Sequence, residues 1–282
     1  MNLLPLLTAL AIGADYPRPE LLVEASQLLK EKDVVILDVR GSDVYASGHI
    51  PNAIAIDTTA WGKAFPNEPD AADWSKRLGA IGIDAKTRVV VHGDADVRDP
   101  ARIWWMLRYW GVNDVRLLNG GWDAWKAAGG SVSTDVPSPK LKTVTLSRQS
   151  ERLATKVDLL KELKGTPPQI IDARSAREHC GELKSAKRGG AIPGAIHLEW
   201  KEAIDPKSGR FKSPDELTAL LKANGIDPSQ PTVTYCQSGG RAAVMAFTIE
   251  LMGGKQVRNY YQSWSEWGND EQTPIVVPKL KK

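Results

Sequence analysis

The chain has 282 residues, with 37 Lys and Arg against 34 Asp and Glu and a formal net charge of +3. That near-balance, with no basic stripe or arginine-rich helix, argues against nucleic-acid binding. A content of 42% hydrophobic and 25% charged residues is that of a soluble globular protein, and the length predicts two domains of ordinary size. Two cysteines exclude a disulfide framework, and without a Cys/His cluster at ligand spacing neither a metal nor another cofactor is expected.

The first segment, 1–15, is apolar from Leu3 to Ile12 and carries small residues at Ala9, Ala11, Gly13 and Ala14. This resembles the core and cleavage region of a secretory signal peptide, although no Lys or Arg precedes the apolar run. Export is the favoured reading, with a cytoplasmic protein as the alternative. No later segment is apolar enough for membrane insertion.

After the leader, the apolar spacing from Leu21 to Lys30 predicts a helix, and Val34 to Val39 predicts a strand. Trp74 to Ile81 follows as a short helix and Arg88 to His92 as a strand. Arg102 to Trp110 is a helix closed by Gly111, and Val115 to Leu118 is a last strand before the Gly120-Gly121 turn. Short strands without polar alternation predict an α/β fold, with a central parallel sheet covered by helices on both faces. Gly129 to Ser150, rich in Pro, Ser, Thr and Lys, reads as a surface linker.

The pattern then repeats. Val34–Arg40, with Asp38 and Arg40 at its end, returns at Gln169–Arg174 with Asp172 and Arg174; His49-Ile-Pro-Asn-Ala53 returns as Ala191-Ile-Pro-Gly-Ala195. Gly82-Ile-Asp84 returns as Gly225-Ile-Asp227, and Trp122-Asp-Ala-Trp125 as Trp264-Ser-Glu-Trp267. Matches in one order at similar spacing mark a tandem duplication. The units are an N-terminal domain at 16–130, a linker at 131–150, a C-terminal domain at 151–276 and a basic tail at 277–282. The recurring tryptophans, Trp104 and Trp105 included, read as core packing.

The second unit carries Cys236-Gln237-Ser238-Gly239-Gly240-Arg241 between a strand-like run, Pro231 to Tyr235, and a helix-like run, Ala242 to Met252. A thiol at the mouth of a strand–loop–helix turn faces backbone N–H groups and the positive end of a helix dipole, both of which favour a thiolate nucleophile. Two glycines permit a tight loop, and Arg241 adds positive charge. The plain alternative is a buried cysteine followed by a helix cap. Continuing the Gly82–Gly225 offset sets His92 on Tyr235, Gly93 on Cys236 and Arg98 on Arg241. The first unit thus has glycine in place of the nucleophile. It also has an acidic loop, Asp94, Asp96 and Asp99, that would repel an anion. Only the C-terminal copy is expected to be catalytic, with the other a scaffold that helps wall the cleft.

These motifs, with Tyr45-x-x-x-His49-Ile-Pro-Asn-Ala and Tyr260-Tyr-Gln-Ser-Trp264-Ser-Glu266-Trp267, resemble the tandem-domain rhodaneses, the thiosulfate or 3-mercaptopyruvate sulfurtransferases. The resemblance runs from about Tyr16 to Pro274 and implies two rhodanese-like domains with the active loop in the second. Departures fall at Tyr261 and Gln262, where the family usually has an acidic residue and a glycine. Others fall at Ala191, where it usually has histidine, and at Asn52, where it usually has glycine after the proline. They shape loops and do not carry chemistry.

The implied reaction passes through a persulfide on Cys236: the sulfane sulfur of thiosulfate is taken, sulfite leaves, and cyanide or a thiol accepts the sulfur. The loop residues Gln237, Ser238, Gly239, Gly240 and Arg241 would hold the persulfide sulfur with their N–H groups. Arg241 would balance charge in the loop or on the donor. Asp172 and Arg174 either orient the loop or form a structural ion pair. Lys184, Lys187 and Arg188 form either a basic rim or ordinary solvated charge. His179 and His197 read as structural, and Cys180 as a helix residue. Cysteine phosphatases use Cys-x5-Arg, and the Cys-x4-Arg here encloses too narrow a ring for phosphate. Mercaptopyruvate enzymes of the family tend to have glycine after the cysteine and no closing arginine, so Gln237 and Arg241 point to thiosulfate. A non-catalytic sulfur carrier is the remaining alternative. The oligomeric state is not legible from the sequence.

Overall fold

Runs of Val, Ile and Leu with no polar alternation become the central strands of two parallel sheets, because both faces of each are covered by helices. The structure is a computed structural model that describes residues 15–65 and 70–279. The leader expected at 1–15, apart from Asp15, lies outside the described residues, as do the last three residues of the basic tail.

The strands of the first unit are Leu22–Val23 (β1), Val35–Asp38 (β2), Ile54–Ala55 (β3), Arg88–His92 (β4) and Asp114–Leu118 (β5), ordered β1-β5-β4-β2-β3. Those of the second are Gln169–Asp172 (β6), Ile196–His197 (β7), Thr232–Tyr235 (β8) and Val257–Asn259 (β9), ordered β7-β6-β8-β9. The first unit's helices are Ala25–Leu28 (α1), Ser42–Ser47 (α2), Thr58–Ala64 (α3), Ala71–Ala80 (α4), Arg98–Tyr109 (α5) and Gly121–Ala127 (α6). The second unit's are Lys156–Glu162 (α7), Ala176–His179 (α8), Pro214–Ala223 (α9), Gly240–Leu251 (α10) and Ser263–Trp267 (α11).

The duplication holds down to single side chains. In register, Asp38 faces His92 and Asp172 faces Tyr235. Arg40 reaches Asp38 and the Gly48 carbonyl and lies 4.1 Å over the Trp122 ring. Arg174 reaches Asp172 and the Gly190 carbonyl and lies 4.3 Å over the Trp264 ring. The counterpart of β1 in the second unit shrinks to a single parallel bridge, Leu153 to Asn259.

One expected helix is corrected. Leu21 to Lys30 does not form a continuous helix: Leu22 and Val23 pair with Leu117 and Leu118 as an edge strand. The helix begins only at Ala25, after Glu24 and Gln27 close a capping box. The expected helix at Arg102 to Trp110 starts earlier, at Arg98, with Pro100 in its first turn where a missing N–H costs nothing. Trp122 is only partly buried, whereas Trp104, Trp105, Trp264 and Trp267 are fully buried.

The two units meet along α5 and α10, the helices that follow the two equivalent loops. Trp104 of α5 meets Phe247 of α10 edge-on at 4.9 Å, and Trp105 stacks on Tyr261 at 5.6 Å. One apolar cluster runs from Trp61 and Trp74 of the first unit through to Val244, Phe247 and Leu251 of the second. A buried aromatic side chain removes roughly 150–250 Å² from water, on the order of 4–6 kcal/mol at about 25 cal/mol per Å². Several such rings at the seam hold the loops of both units in fixed opposition.

Candidate active site

Strand β8 is buried along its length and delivers Cys236 directly after Tyr235. The loop then turns through Gly239, whose left-handed backbone (φ 83°) places it as the N-cap of α10. Its outer side is pinned by the segment that follows β9. The Cys236 N–H donates to Ser263 Oγ at 3.0 Å, and the Cys236 and Gln237 carbonyls accept from the N–H groups of Trp264 and Ser265, both at 3.0 Å. Asn259 Nδ2 donates to the Gly239 carbonyl at 3.1 Å. With the carbonyls held outward, no backbone N–H from Gln237 to Arg241 donates to an acceptor among the described residues. That is the arrangement of an anion-binding nest at a helix N-terminus.

Cys236 is 1% exposed and borders a cavity of about 300 Å³ together with Gln237, Ser238, Gly240 and Arg241. Gly239 lies behind the loop and does not line it. The opposite wall comes from the first unit, from Asp96, Arg98, Asp99 and Arg102. The structure revises the expected repulsion there: Asp96 is neutralised by a two-pronged pair with Arg98. Asp99 accepts from Thr58 Oγ1 at 3.2 Å.

Arg241 is held by Glu178, with Nη1 to Oε2 at 2.6 Å and Nη2 to Oε1 at 2.9 Å. Burial alone would raise the Glu178 carboxyl, but the Arg241 hydrogen bonds and charge outweigh it and bring it down to about 2. Burial works against the Arg241 cation. The Glu178 pair, with the neighbouring Cys236, outweighs it, so the guanidinium stays above its ordinary value. Its charge is therefore already matched by a carboxylate.

Asp172 and Arg174 are fully buried behind the loop and do not reach the cavity. They form an ion pair at 2.6 Å, joined by the Tyr235 hydroxyl, which donates to Asp172 at 2.7 Å, and by His179 Nδ1 at 2.8 Å. His197 bonds the Arg174 carbonyl at 2.9 Å. Arg188 turns inward onto the Thr273 and Trp267 carbonyls, both at 2.9 Å, so it is not part of a basic rim; Lys184 and Lys187 are exposed and away from the cavity lining. Cys180 and Cys236 are both free thiols. In the first unit a Cβ at Gly93 would lie 3.0 Å from Pro100 and 3.2 Å from Val39, so that loop is packed shut against a side chain.

The sequence reading missed Glu178 and Arg102. Glu178 had a visible signal, the capping-box spacing Ser175-x-x-Glu178. Arg102 had none, since it reaches the loop across the seam between the units.

The loop geometry gives one direct prediction. A Cβ at Gly239 would stand 2.5 Å from Tyr261 Cδ2, in a backbone region that side chains avoid. Gly239→Ala is expected to cost about 1–3 kcal/mol of stability, measured by urea unfolding. It is also expected to cut alkylation of the Cys236 thiol by iodoacetamide by about tenfold or more through displacement of the nest amides.

A family model described as a rhodanese-like domain matches the chain twice, over residues 21–128 and 155–270. The sulfur carrier protein TtuD of Thermus thermophilus is 35% identical over 93% of this chain and 98% of its own. The thiosulfate sulfurtransferase of Azotobacter vinelandii is 32% identical over 93% of this chain and 99% of its own. That of Pseudomonas aeruginosa is 31% identical over 95% and 100%. Among solved structures, EanB with a cysteine persulfide, in a tetrahedral intermediate state with ergothioneine, aligns with a TM-score of 0.83 at 26% identity. That alignment covers 92% of this chain and 71% of EanB.

Proposed function

The chain belongs to the rhodanese family as a tandem-domain sulfurtransferase, and on that premise we propose that it takes the sulfane sulfur of thiosulfate onto Cys236 and passes it to cyanide or a thiol. The observation that carries this reading is the buried Cys236 at the floor of a narrow cavity, beside loop N–H groups that have no acceptor among the described residues. In the first half-reaction the Cys236 thiolate attacks the outer sulfur. The S–S bond of thiosulfate breaks, and sulfite leaves with the bonding pair. The terminal sulfur of the resulting persulfide carries negative charge among the amides of Gln237 to Arg241, which act on it as an oxyanion hole acts on oxygen. In the second half-reaction the acceptor attacks that terminal sulfur and the Cys236 thiolate departs.

No proton is removed from thiosulfate, so no general base is required, and neither histidine nor lysine borders the cavity among the described residues. The Arg241–Glu178 pair supports the reading by fixing the closing end of the loop. Gln237 is fixed as well, accepting from Ser185 Oγ at 2.6 Å and donating to the Ser185 carbonyl at 2.9 Å. With a polar residue after the cysteine and an arginine closing the loop, thiosulfate is favoured over 3-mercaptopyruvate. Domain roles follow: the C-terminal unit is catalytic, and the N-terminal unit supplies the far wall.

Steady-state turnover with both donors, using cyanide as acceptor, tests this. The expected result is ping-pong kinetics with kcat/KM for thiosulfate above that for 3-mercaptopyruvate; the reverse order would assign the other donor. A second reading, a sulfur carrier, is favoured by the similarity to TtuD. A protein that loads one sulfur and then stalls with cyanide, dithiothreitol and other small acceptors would establish the carrier instead.

A further inference from the structure

Three arginines border the cavity, and two are already spent on carboxylates. Arg98 is paired with Asp96, and Arg241 with Glu178. Arg102 differs. Its nearest carboxylate oxygen, Asp99 Oδ1, is 3.9 Å from Nε, beyond hydrogen-bonding distance. Nη1 donates at 3.2 Å to a neutral partner, the Tyr261 hydroxyl. Nε is buried and has no hydrogen-bond partner among the described residues. A Cβ on Gly240 would stand 2.5 Å from Arg102 Nη2 and 3.1 Å from Nε. The guanidinium therefore lies flat on the first residue of α10, at the rim of the nest of free amides. Glycine at 240 is what permits that approach.

Resting on the thiosulfate reading above, we infer that Arg102, contributed by the unit that lacks the cysteine, binds the oxygen end of thiosulfate and holds sulfite as it leaves. The Nε and Nη2 edge of this guanidinium, without a hydrogen-bond acceptor among the described residues, matches a planar pair of sulfonate oxygens, as it would match carboxylate or phosphate. Its position at the rim of the nest, on the side of the first unit, sets the polarity of the donor. The oxygens face the first unit, and the sulfane sulfur faces Cys236. The nest amides then receive the terminal sulfur, while Arg102 receives the charge that builds on the departing sulfite. Asp99 weakens this site by sitting 3.9 Å from the same guanidinium.

The test uses the full chain with Arg102→Ala, Arg102→Lys and Asp99→Asn, and follows two readouts. The first is KM for thiosulfate. The second is the affinity for sulfite, measured by calorimetry in a Cys236→Ala background so that no sulfur chemistry intervenes. Arg102→Ala is expected to raise the thiosulfate KM and the sulfite Kd together by about 10–100-fold, the worth of a hydrogen-bonded charge. Arg102→Lys should recover part of this, and Asp99→Asn should lower both by several-fold. Discharge of preloaded persulfide to dithiothreitol, a neutral acceptor, should fall far less than loading does. Lys187→Ala, at an exposed position away from the cavity, should leave KM where it was. Unchanged sulfite affinity in Arg102→Ala overturns the inference, as does an equal loss in loading and discharge, which would mark Arg102 as structural. If the wild-type protein takes no sulfur at Cys236, the underlying reading fails first, and the sulfite titration still reports whether Arg102 binds the anion.

Discussion

Cys236→Ala is expected to lose thiosulfate-dependent turnover by about 10⁴-fold or more, because the covalent intermediate has no other atom on which to form. The protein should stay folded. Cys236 packs among Ile171, Ala173, Ala242 and Met245, and removing one sulfur atom from such a cluster costs about 1 kcal/mol. Cys236→Ser sharpens the result. It keeps nearly the same shape and the same loop, so a comparable loss assigns the effect to sulfur chemistry and not to packing. Mass spectrometry of the wild-type protein after incubation with thiosulfate should find one added sulfur on the peptide bearing Cys236 and none on that bearing Cys180. Cys180 is buried at the end of α8, with its thiol 3.5 Å from the Arg177 carbonyl. A sulfur adduct on Cys180, or full turnover in Cys236→Ser, would remove the basis for the proposed function.

What the sequence made legible was whatever depends on neighbours in the chain. The strand β8, the tight glycine turn and the helix α10 follow from local pattern, and so does the placement of Cys236 between them. The duplication was equally plain, since Asp38/Arg40 and Asp172/Arg174 recur at the same place in each copy and make the same pair in space. The misreadings share a physical origin. Leu22 and Val23 fit a helical spacing, but their partners Leu117 and Leu118 lie far along the chain and win them for an edge strand. The acidic loop of the first unit reads as repulsive because the sequence does not show that Arg98, two residues beyond Asp96, folds back onto it. Arg102 belongs to a helix otherwise devoted to packing, and its second role appears only when α5 is laid against α10. Sequence periodicity describes one element at a time, so a site assembled across a seam is half hidden from it.

Replacing Arg174 with methionine is expected to destabilise the protein by about 3–5 kcal/mol, as removal of one partner from a buried ion pair does. Arg174 is fully buried, holds Asp172 at 2.6 Å and 2.9 Å, donates to the Gly190 carbonyl at 2.7 Å, and lies over the rings of Trp264 and Tyr235. Burial alone would raise the Asp172 carboxyl, yet hydrogen bonds from His179 and Arg174 outweigh it and hold the group well below the usual carboxylate range. A depressed native value stabilises the fold above the unfolded value, near about 4, and that contribution fades as pH falls from there through the lower native value. Without Arg174 the burial effect gains, Asp172 takes up a proton more readily, and the penalty for an unpaired charge shrinks in acid. The gap between wild type and Arg174→Met in urea unfolding should therefore be widest at neutral pH and narrow toward pH 4. Pairing the change with Asp172→Leu should recover part of the loss, since the isolated carboxylate is what costs most. Arg40→Met breaks the equivalent pair in the first unit and separates the two roles of Arg174. Both substitutions should lower stability. Only Arg174→Met should also slow sulfur loading per folded molecule, because Tyr235 and Trp264 join this pair directly to the two ends of the Cys236 hydrogen-bond frame. Equal loading rates in the two variants would show that the buried pair supports the fold alone and has no part in positioning the nucleophile.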